Sequence, residues 1–326
     1  MKLVIPGGSG QVGTLVARHA ASRGDEVVVL SRAPSPATAA RPWRTVAWNP
    51  EGHTTGRSLG PWATELDGAD AVLNLAGRSV DCRYTPANRR AILASRLDAT
   101  RAVGDAVARA ERPPAVWLQM STATVYAHRT DAPNDEATGR IGGTEPDAPA
   151  SWRFSVEVAQ AWEAAARETV RPETRLVLLR TAIVTSPDRG GIFDVLLRLV
   201  RLGLGGTSGS GRQFVSWIHD ADLVRAVDWI IAHPDVSGVV NVAAPEPLPN
   251  AAFMRAIRRA WGARIGLPAM PWMLELGALA LRTETELVLK SRRVVPGRLL
   301  VGGFAFEHPM WPEAAADLVA RWRAAA

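Results

Sequence analysis

The stretch Lys2-Leu-Val-Ile-Pro-Gly-Gly-Ser-Gly-Gln-Val-Gly13, followed at Val27-Val-Val-Leu-Ser-Arg32 by a second apolar run, decides how this chain folds. Residues 2–5 are short and apolar, as a buried strand requires, and stop at Pro6. After the glycines, Val12, Leu15, Val16 and His19 recur at helical spacing. The order is strand, glycine turn, helix, strand, which makes the first half of a βαβ unit joined by a crossover helix.

Glycines at such a turn have a physical purpose. They permit a tight bend, let the backbone approach a pyrophosphate, and let helix and strand pack closely. The amides that open the helix face the phosphates, where the helix dipole favours negative charge. Gly8, Gly10 and Gly13 spell G-x-G-x-x-G, whereas Gly7, Gly10 and Gly13 spell G-x-x-G-x-x-G. The turn Gly7, Gly8, Ser9, Gly10, Gln11, Val12 and Gly13 is therefore the expected phosphate cradle of a dinucleotide. A ribose is read at the end of the second strand, where an acid binds the NAD 2′-hydroxyl and an Arg suits a 2′-phosphate. Here that position holds Ser31 and Arg32 with no acid, since Asp25 and Glu26 precede the strand. The pattern favours NADP over NAD.

The rest of the chain continues the alternation. Arg44 to Trp48 reads as a third strand, ended by Asn49-Pro50, after a Pro- and Ala-rich loop reaching Arg41. Ala71 to Gly77 reads as a fourth, which places Leu75, Ala76 and Gly77 at its carboxyl end, where doubly wound sheets hold their ligands. Thr85 and Pro86 open a long helix toward Ala110, stopped by Pro113-Pro114. Ala115 to Met120 delivers Ser121-Thr-Ala-Thr-Val-Tyr126 to the same edge. A polar segment from His128 to Pro149 has the length of a functional lid. Ser151 is placed to cap a helix to Glu168. Further strands are expected at Leu176–Leu179, within Gln213–Ile218, and at Val239–Val242, with a helix at Asp220–Ala232. This predicts an α/β doubly wound parallel sheet over residues 1–245, with substrate-side insertions around 186–218. A smaller, mostly helical C-terminal region, 246–326, completes the chain.

Composition limits the function classes. The 326 residues are 47% hydrophobic and 21% charged, which is ordinary for a globular protein. One cysteine, Cys82, excludes an internal disulfide and suits a reducing compartment. No secretory pattern opens the chain, and the longest apolar stretch, Leu267 to Leu281, is too short to span a bilayer. The expectation is a cytoplasmic protein without membrane partners. The charge of +6 is scattered in pairs such as Arg89-Arg90, with no nucleic-acid motif, so nucleic acid is not an expected partner. The six histidines have no metal spacing, and no metal is expected. A small-molecule substrate is expected, and a homodimer is left open.

With these residues in view, the chain resembles the extended short-chain dehydrogenase/reductase superfamily. The likeness rests on Gly7 to Gly13, Asn74-Leu-Ala-Gly77, Ser121 to Tyr126, Arg180 to Pro187, and Phe214 to Leu223. Ser95-Arg96, Trp162-Glu163 and the tail from Ser291 to Pro309 resemble an atypical branch of epimerase-family proteins, nucleoside-diphosphate-sugar epimerases by label, with a C-terminal domain of unknown function. The resemblance implies a Rossmann fold, an NADP cofactor and epimerase or oxidoreductase chemistry. It puts Thr122 at the catalytic hydroxyl, with Ser121 beside it. It puts Arg96 where the superfamily usually has Asn, to be read either as a site residue or as a structural pairing. The superfamily's Tyr-x-x-x-Lys pair is absent. Tyr84 and Tyr126 are followed four residues later by Asn88 and Thr130, and the helix before Trp162 offers Phe154, Ser155 and Ala159. An unassisted threonine is a poor base. A catalytically inactive NADPH-binding sensor or scaffold is therefore the alternative to an enzyme.

Overall fold

Strands and helices alternate from the first residues in a computed structural model, which describes residues 1–34, 41–54, 56–146, 148–149, 152–269 and 285–325. The loop expected before Arg41, the Ser151 cap and most of the Leu267–Leu281 stretch lie outside the described residues. In chain order, the first half comprises β1 (Lys2–Pro6), α1 (Gln11–Ser22), β2 (Glu26–Ser31), β3 (Arg44–Ala47), β4 (Ala71–Asn74), α2 (Pro86–Arg109) and β5 (Val116–Thr122). Then come α3 (Arg153–Thr169), β6 (Arg175–Thr181), β7 (Ile183–Thr185), α4 (Ile192–Arg201), β8 (Phe214–Val215) and β9 (Trp217–His219). They are followed by α5 (Asp220–Ala232), β10 (Gly238–Val242), β11 (Leu248–Pro249) and α6 (Asn250–Trp261). The tail carries short helices at Glu286–Leu289 and Gly297–Val301 and a last helix at Trp311–Ala324.

Seven strands form one parallel sheet in the order β10-β6-β5-β4-β1-β2-β3. This is a Rossmann-like α/β fold. The reason is visible along each strand. Leu3 and Ile5, Val27 and Val29, Leu73 and Leu118 pack in one core with Leu15 and Val16 of α1 and Val227 and Ile230 of α5. Their neighbours Val4, Val28, Leu30, Val72 and Trp117 pack in another with Ala99, Val103 and Val107 of α2. Successive side chains point to opposite faces, and both faces are covered, so the strands read as unbroken apolar runs.

The sheet order turns back between β1 and β4, which places a crevice beyond their carboxyl ends. The fourth strand is shorter than its apolar run suggested. Pairing stops at Asn74, whose Oδ1 accepts from the Ala76 amide at 3.1 Å and turns the chain away. Residues 213–218 form two short strands that join different partners, β8 with β11 and β9 with β7. A third core ties α4, α6 and the last helix together through Phe193, Leu197, Phe253, Ile257, Trp311 and Trp322. There the Phe253 and Trp311 rings stack with centroids 4.1 Å apart. Among the described residues, no helix is long and apolar enough to cross a membrane.

Candidate functional site

The crevice at the sheet's switch point is built on the glycine turn. Gly7 has φ +74°, and a Cβ there would lie 2.6 Å from the Ala76 Cα, so only glycine lets the β1 and β4 ends meet. Backbone bonds complete this junction: the Gly7 amide donates to the Leu30 carbonyl at 2.9 Å and the Leu75 amide to the Pro6 carbonyl at 2.8 Å. Gly8 lies against Ile5, and Gly13 packs on the Gly8 backbone. Gly10 differs. The nearest atom to a Cβ built there is 4.0 Å away, and no side chain caps the helix that it opens. Open space thus faces uncapped α1 amides, which is what a pyrophosphate needs. Ser9 is exposed at the rim, Val12 packs toward the core, and the Gln11 side chain donates to Ser186 Oγ at 2.9 Å.

The other expected residues surround this turn. Ser31 is buried and Arg32 is exposed at the carboxyl end of β2. Leu75, Ala76 and Gly77 form the bend after β4, held by Asn74, which also donates to Gln119 at 2.9 Å. Gly77 lies against the Arg96 side chain. Arg96 is buried; it donates to the carbonyls of Arg78 and Ile92, both at 3.0 Å, and lies 4.8 Å from the Trp162 ring. Burial lowers its pKa to about 10.

Next to that bend lies a pocket with a polar rim of Tyr84, Arg96, Thr122, Thr124 and Ser155 over apolar Phe154, Val158 and Ala159. Thr122 accepts from the Thr124 amide at 3.2 Å. Ser121, by contrast, is buried and donates to Glu163 Oε1 at 2.7 Å. Glu163 also binds Arg180 at 2.8 and 2.9 Å. Burial alone would raise the Glu163 pKa, but Arg180, Ser121 and Arg167 outweigh it and hold the carboxyl below its ordinary range. The two tyrosines separate. Tyr126 is buried, donates to Asn241 at 2.9 Å and stacks under Arg180, whereas Tyr84 lines the pocket. Ser155 and Ala159 both face the pocket from α3, one helical turn apart.

Sequence reading missed the groups that the tail adds here. Ser155 Oγ donates to Glu286 Oε2 at 2.6 Å. Lys290 Nζ lies 3.6 Å from Glu286 Oε1 and donates to the Thr124 carbonyl at 2.8 Å. Arg292 Nε donates to Thr124 Oγ1 at 3.0 Å. The signal was faint: Lys2 and Lys290 are the only lysines of the chain.

The fold and its crevice define a member of the doubly wound, nucleotide-binding class of α/β proteins. The chain belongs to the NAD dependent epimerase/dehydratase family, whose model matches residues 3–243, and a domain of unknown function, DUF1731, matches residues 271–318. It is 30% identical over 324 residues to the human epimerase family protein SDR39U1, covering 98% of this chain and 100% of that one. The crystal structure of human SDR39U1 (isoform 2) with NADPH superposes with a TM-score of 0.81 at 29% identity, covering 98% of this chain and 99% of the other. A nucleoside-diphosphate sugar epimerase from Corynebacterium glutamicum superposes at 0.73 with 26% identity, over 98% of this chain and 58% of that one.

Proposed function

We propose that this protein is an NADP-dependent oxidoreductase or epimerase-like enzyme, acting on a small polar or nucleotide-linked substrate. The observation that carries the reading is the open face of Gly10 before uncapped helix amides, with Arg32 and no acid at the end of β2. Residues Gly7 to Gly13 would hold the pyrophosphate, Ser31 and Arg32 the adenosine ribose and its 2′-phosphate, and Leu75 to Gly77 the neighbouring wall. The bound dinucleotide would supply a hydride acceptor or donor. Arg96 and Thr122 would contact the substrate or the nicotinamide end, because both line the adjoining pocket. The NADPH bound by the human relative supports the cofactor assignment. The protein would work in the cytoplasm, and a homodimer is the simplest assembly for it.

Calorimetry with NADPH and NADH, followed by stopped-flow oxidation of bound NADPH against carbonyls and sugar nucleotides, tests the proposal. Tighter binding of NADPH with turnover of any member of the panel supports it. A second reading, an NADPH-binding sensor without turnover, draws on Ser155 and Ala159 standing four residues apart in the pocket where the superfamily's Tyr and Lys are expected. Binding without any oxidation would favour it.

A further inference from the structure

The pocket's α3 wall has neither a phenol nor an amine, yet it is not without a proton acceptor. Ser155 and Ala159 present a hydroxyl and a methyl, and the Ser155 hydroxyl donates directly to the Glu286 carboxylate at 2.6 Å. That carboxylate comes from 131 residues further along the chain, inside the segment matched by the domain of unknown function. It is 3% exposed. Lys290, 2% exposed, faces its other oxygen at 3.6 Å and is anchored on the Thr124 carbonyl. Arg292 is bonded to Thr124 Oγ1 and to the Glu286 carbonyl at 3.2 Å. Two buried cations therefore meet at Thr124, a residue of the pocket itself, and one of them, Lys290, faces the buried carboxylate. A buried carboxylate is costly unless it is paired; here Oε2 is hydrogen-bonded by Ser155, while Oε1 has the Lys290 charge at 3.6 Å but no hydrogen bond.

We propose that Ser155 and Glu286 form the proton path of this pocket, with Lys290 and Arg292 holding Glu286 in place. The C-terminal segment thereby completes the site. The inference rests on the enzyme reading above. In the oxidative direction the substrate's O–H bond breaks as Ser155 Oγ takes the proton, and the proton of Ser155 passes to Glu286 Oε2. A bound dinucleotide would accept the hydride, with its electron pair, from the carbon that bears this oxygen, and a carbonyl would remain. Reduction runs these transfers backward. Ser155 is the catalytic residue in this scheme, since it lines the pocket, and Glu286 is a positioning and proton-accepting residue acting through it. Tyr84 Oη lies 3.5 Å from Ser155 Oγ, at the outer limit of a hydrogen bond, and adds a polar neighbour. Burial raises the Glu286 pKa, opposed by Arg292, Ser155 and Lys290. Beyond these, Glu145 acts on Lys290 and Tyr84 on Arg292.

The test uses the full chain as wild type, Ser155→Ala, Glu286→Gln and Glu286→Asp. Calorimetry with NADPH comes first, and all variants are expected to bind within about threefold of wild type, as loss of a transition-state group leaves ground-state binding intact. NADPH oxidation is then followed with glyceraldehyde and methylglyoxal, and NADP reduction with UDP-glucose, across pH. Glu286→Gln and Ser155→Ala are expected to lose about 100-fold or more in kcat, the usual range for general acid–base catalysis. Glu286→Asp should recover about a tenth of wild-type kcat, because the carboxylate returns at a shorter reach. Infrared titration gives a readout apart from turnover: the Glu286 carboxyl band, identified by its loss in Glu286→Gln, should shift in midpoint in Ser155→Ala. Rates of Glu286→Gln within about threefold of wild type would overturn the path. So would an unshifted infrared midpoint. Wild-type silence on every probe would also overturn it, while intact NADPH binding would preserve the cofactor assignment.

Discussion

Ser155 on α3 and Glu286 in the tail are joined by a 2.6 Å hydrogen bond across 131 residues of sequence, and Ser155 lines the pocket beside Arg96 and Thr122. The nucleotide crevice, by contrast, is assembled by the ends of β1, β2 and β4, all within the first third of the chain. The two halves of the site can therefore be disturbed separately, and the predictions below use that separation.

Gly10 and Gly13 should respond in opposite ways to one added methyl group. At Gly10 the nearest atom to a Cβ is 4.0 Å away, so Gly10→Ala should change stability by no more than ~0.5 kcal/mol. It should weaken NADPH at least about tenfold by occupying the phosphate's space. Gly13→Ala collides with the Gly8 backbone and should cost ~1–3 kcal/mol of stability. Urea unfolding and calorimetry on both variants check the contrast.

Arg32→Ala should weaken NADPH by ~1–3 kcal/mol and leave NADH almost unchanged, because its planar fork would pair with a 2′-phosphate that NADH lacks. Paired titrations measure the difference directly. Equal losses for both nucleotides would reassign the ribose contact.

His219 makes acid stability predictable. Its Nδ1 accepts from the Ala221 amide at 3.2 Å, capping α5, and its Nε2 meets Asp317 at 3.0 Å. Burial lowers its pKa from 6.5, with His308 and Arg321 acting in the same direction and Asp220 and Asp317 opposing. Below 6.5 the unfolded chain therefore binds a proton that the folded protein resists. The contribution is fully present above 6.5 and is lost as pH falls through the window beneath it. His219→Asn keeps a capping oxygen but not the titration. The stability advantage of wild type over the variant should shrink on going from about pH 7.5 to about pH 5.5.

Trp311 should be the most damaging single truncation in the tail. It is 1% exposed, stacked on Phe253, 4.7 Å from the Trp217 ring, and donates to the Phe253 carbonyl at 2.9 Å. Trp311→Ala should cost ~3–5 kcal/mol. Thermal unfolding should show the loss, and calorimetry on the folded fraction should show NADPH affinity close to wild type.

The sheet was legible because its inner strands, such as β1, β2 and β4, bury both faces. Runs such as Val27-Val-Val-Leu30 carry no polar interruption, and the turn glycines punctuate them. The helix at Ile192–Arg201 carries the spacing Phe193, Leu197, Val200, but it falls inside the stretch assigned only as substrate-side insertion, between Gly191 and Gly203. The strand at 248–249 is too short to have a local signal, and only its pairing with 214–215 defines it. In the site, the phosphate turn could be found because its residues are consecutive. The Ser155–Glu286 contact could not, because a buried carboxylate in a short helix looks no different in sequence from one on the surface. Arg96 was readable as important yet ambiguous, and its bonds to two carbonyls beside an open pocket explain why both descriptions fit.

Lys290 and Arg292 both fasten to Thr124, so the end of the chain is stitched onto the rim of the sheet that was made first. A ribosome releases the glycine turn more than 250 residues before it releases Lys290. A nascent chain could thus cradle a nucleotide long before its proton acceptor exists. On the proposed proton path, turnover would therefore wait until synthesis is nearly finished.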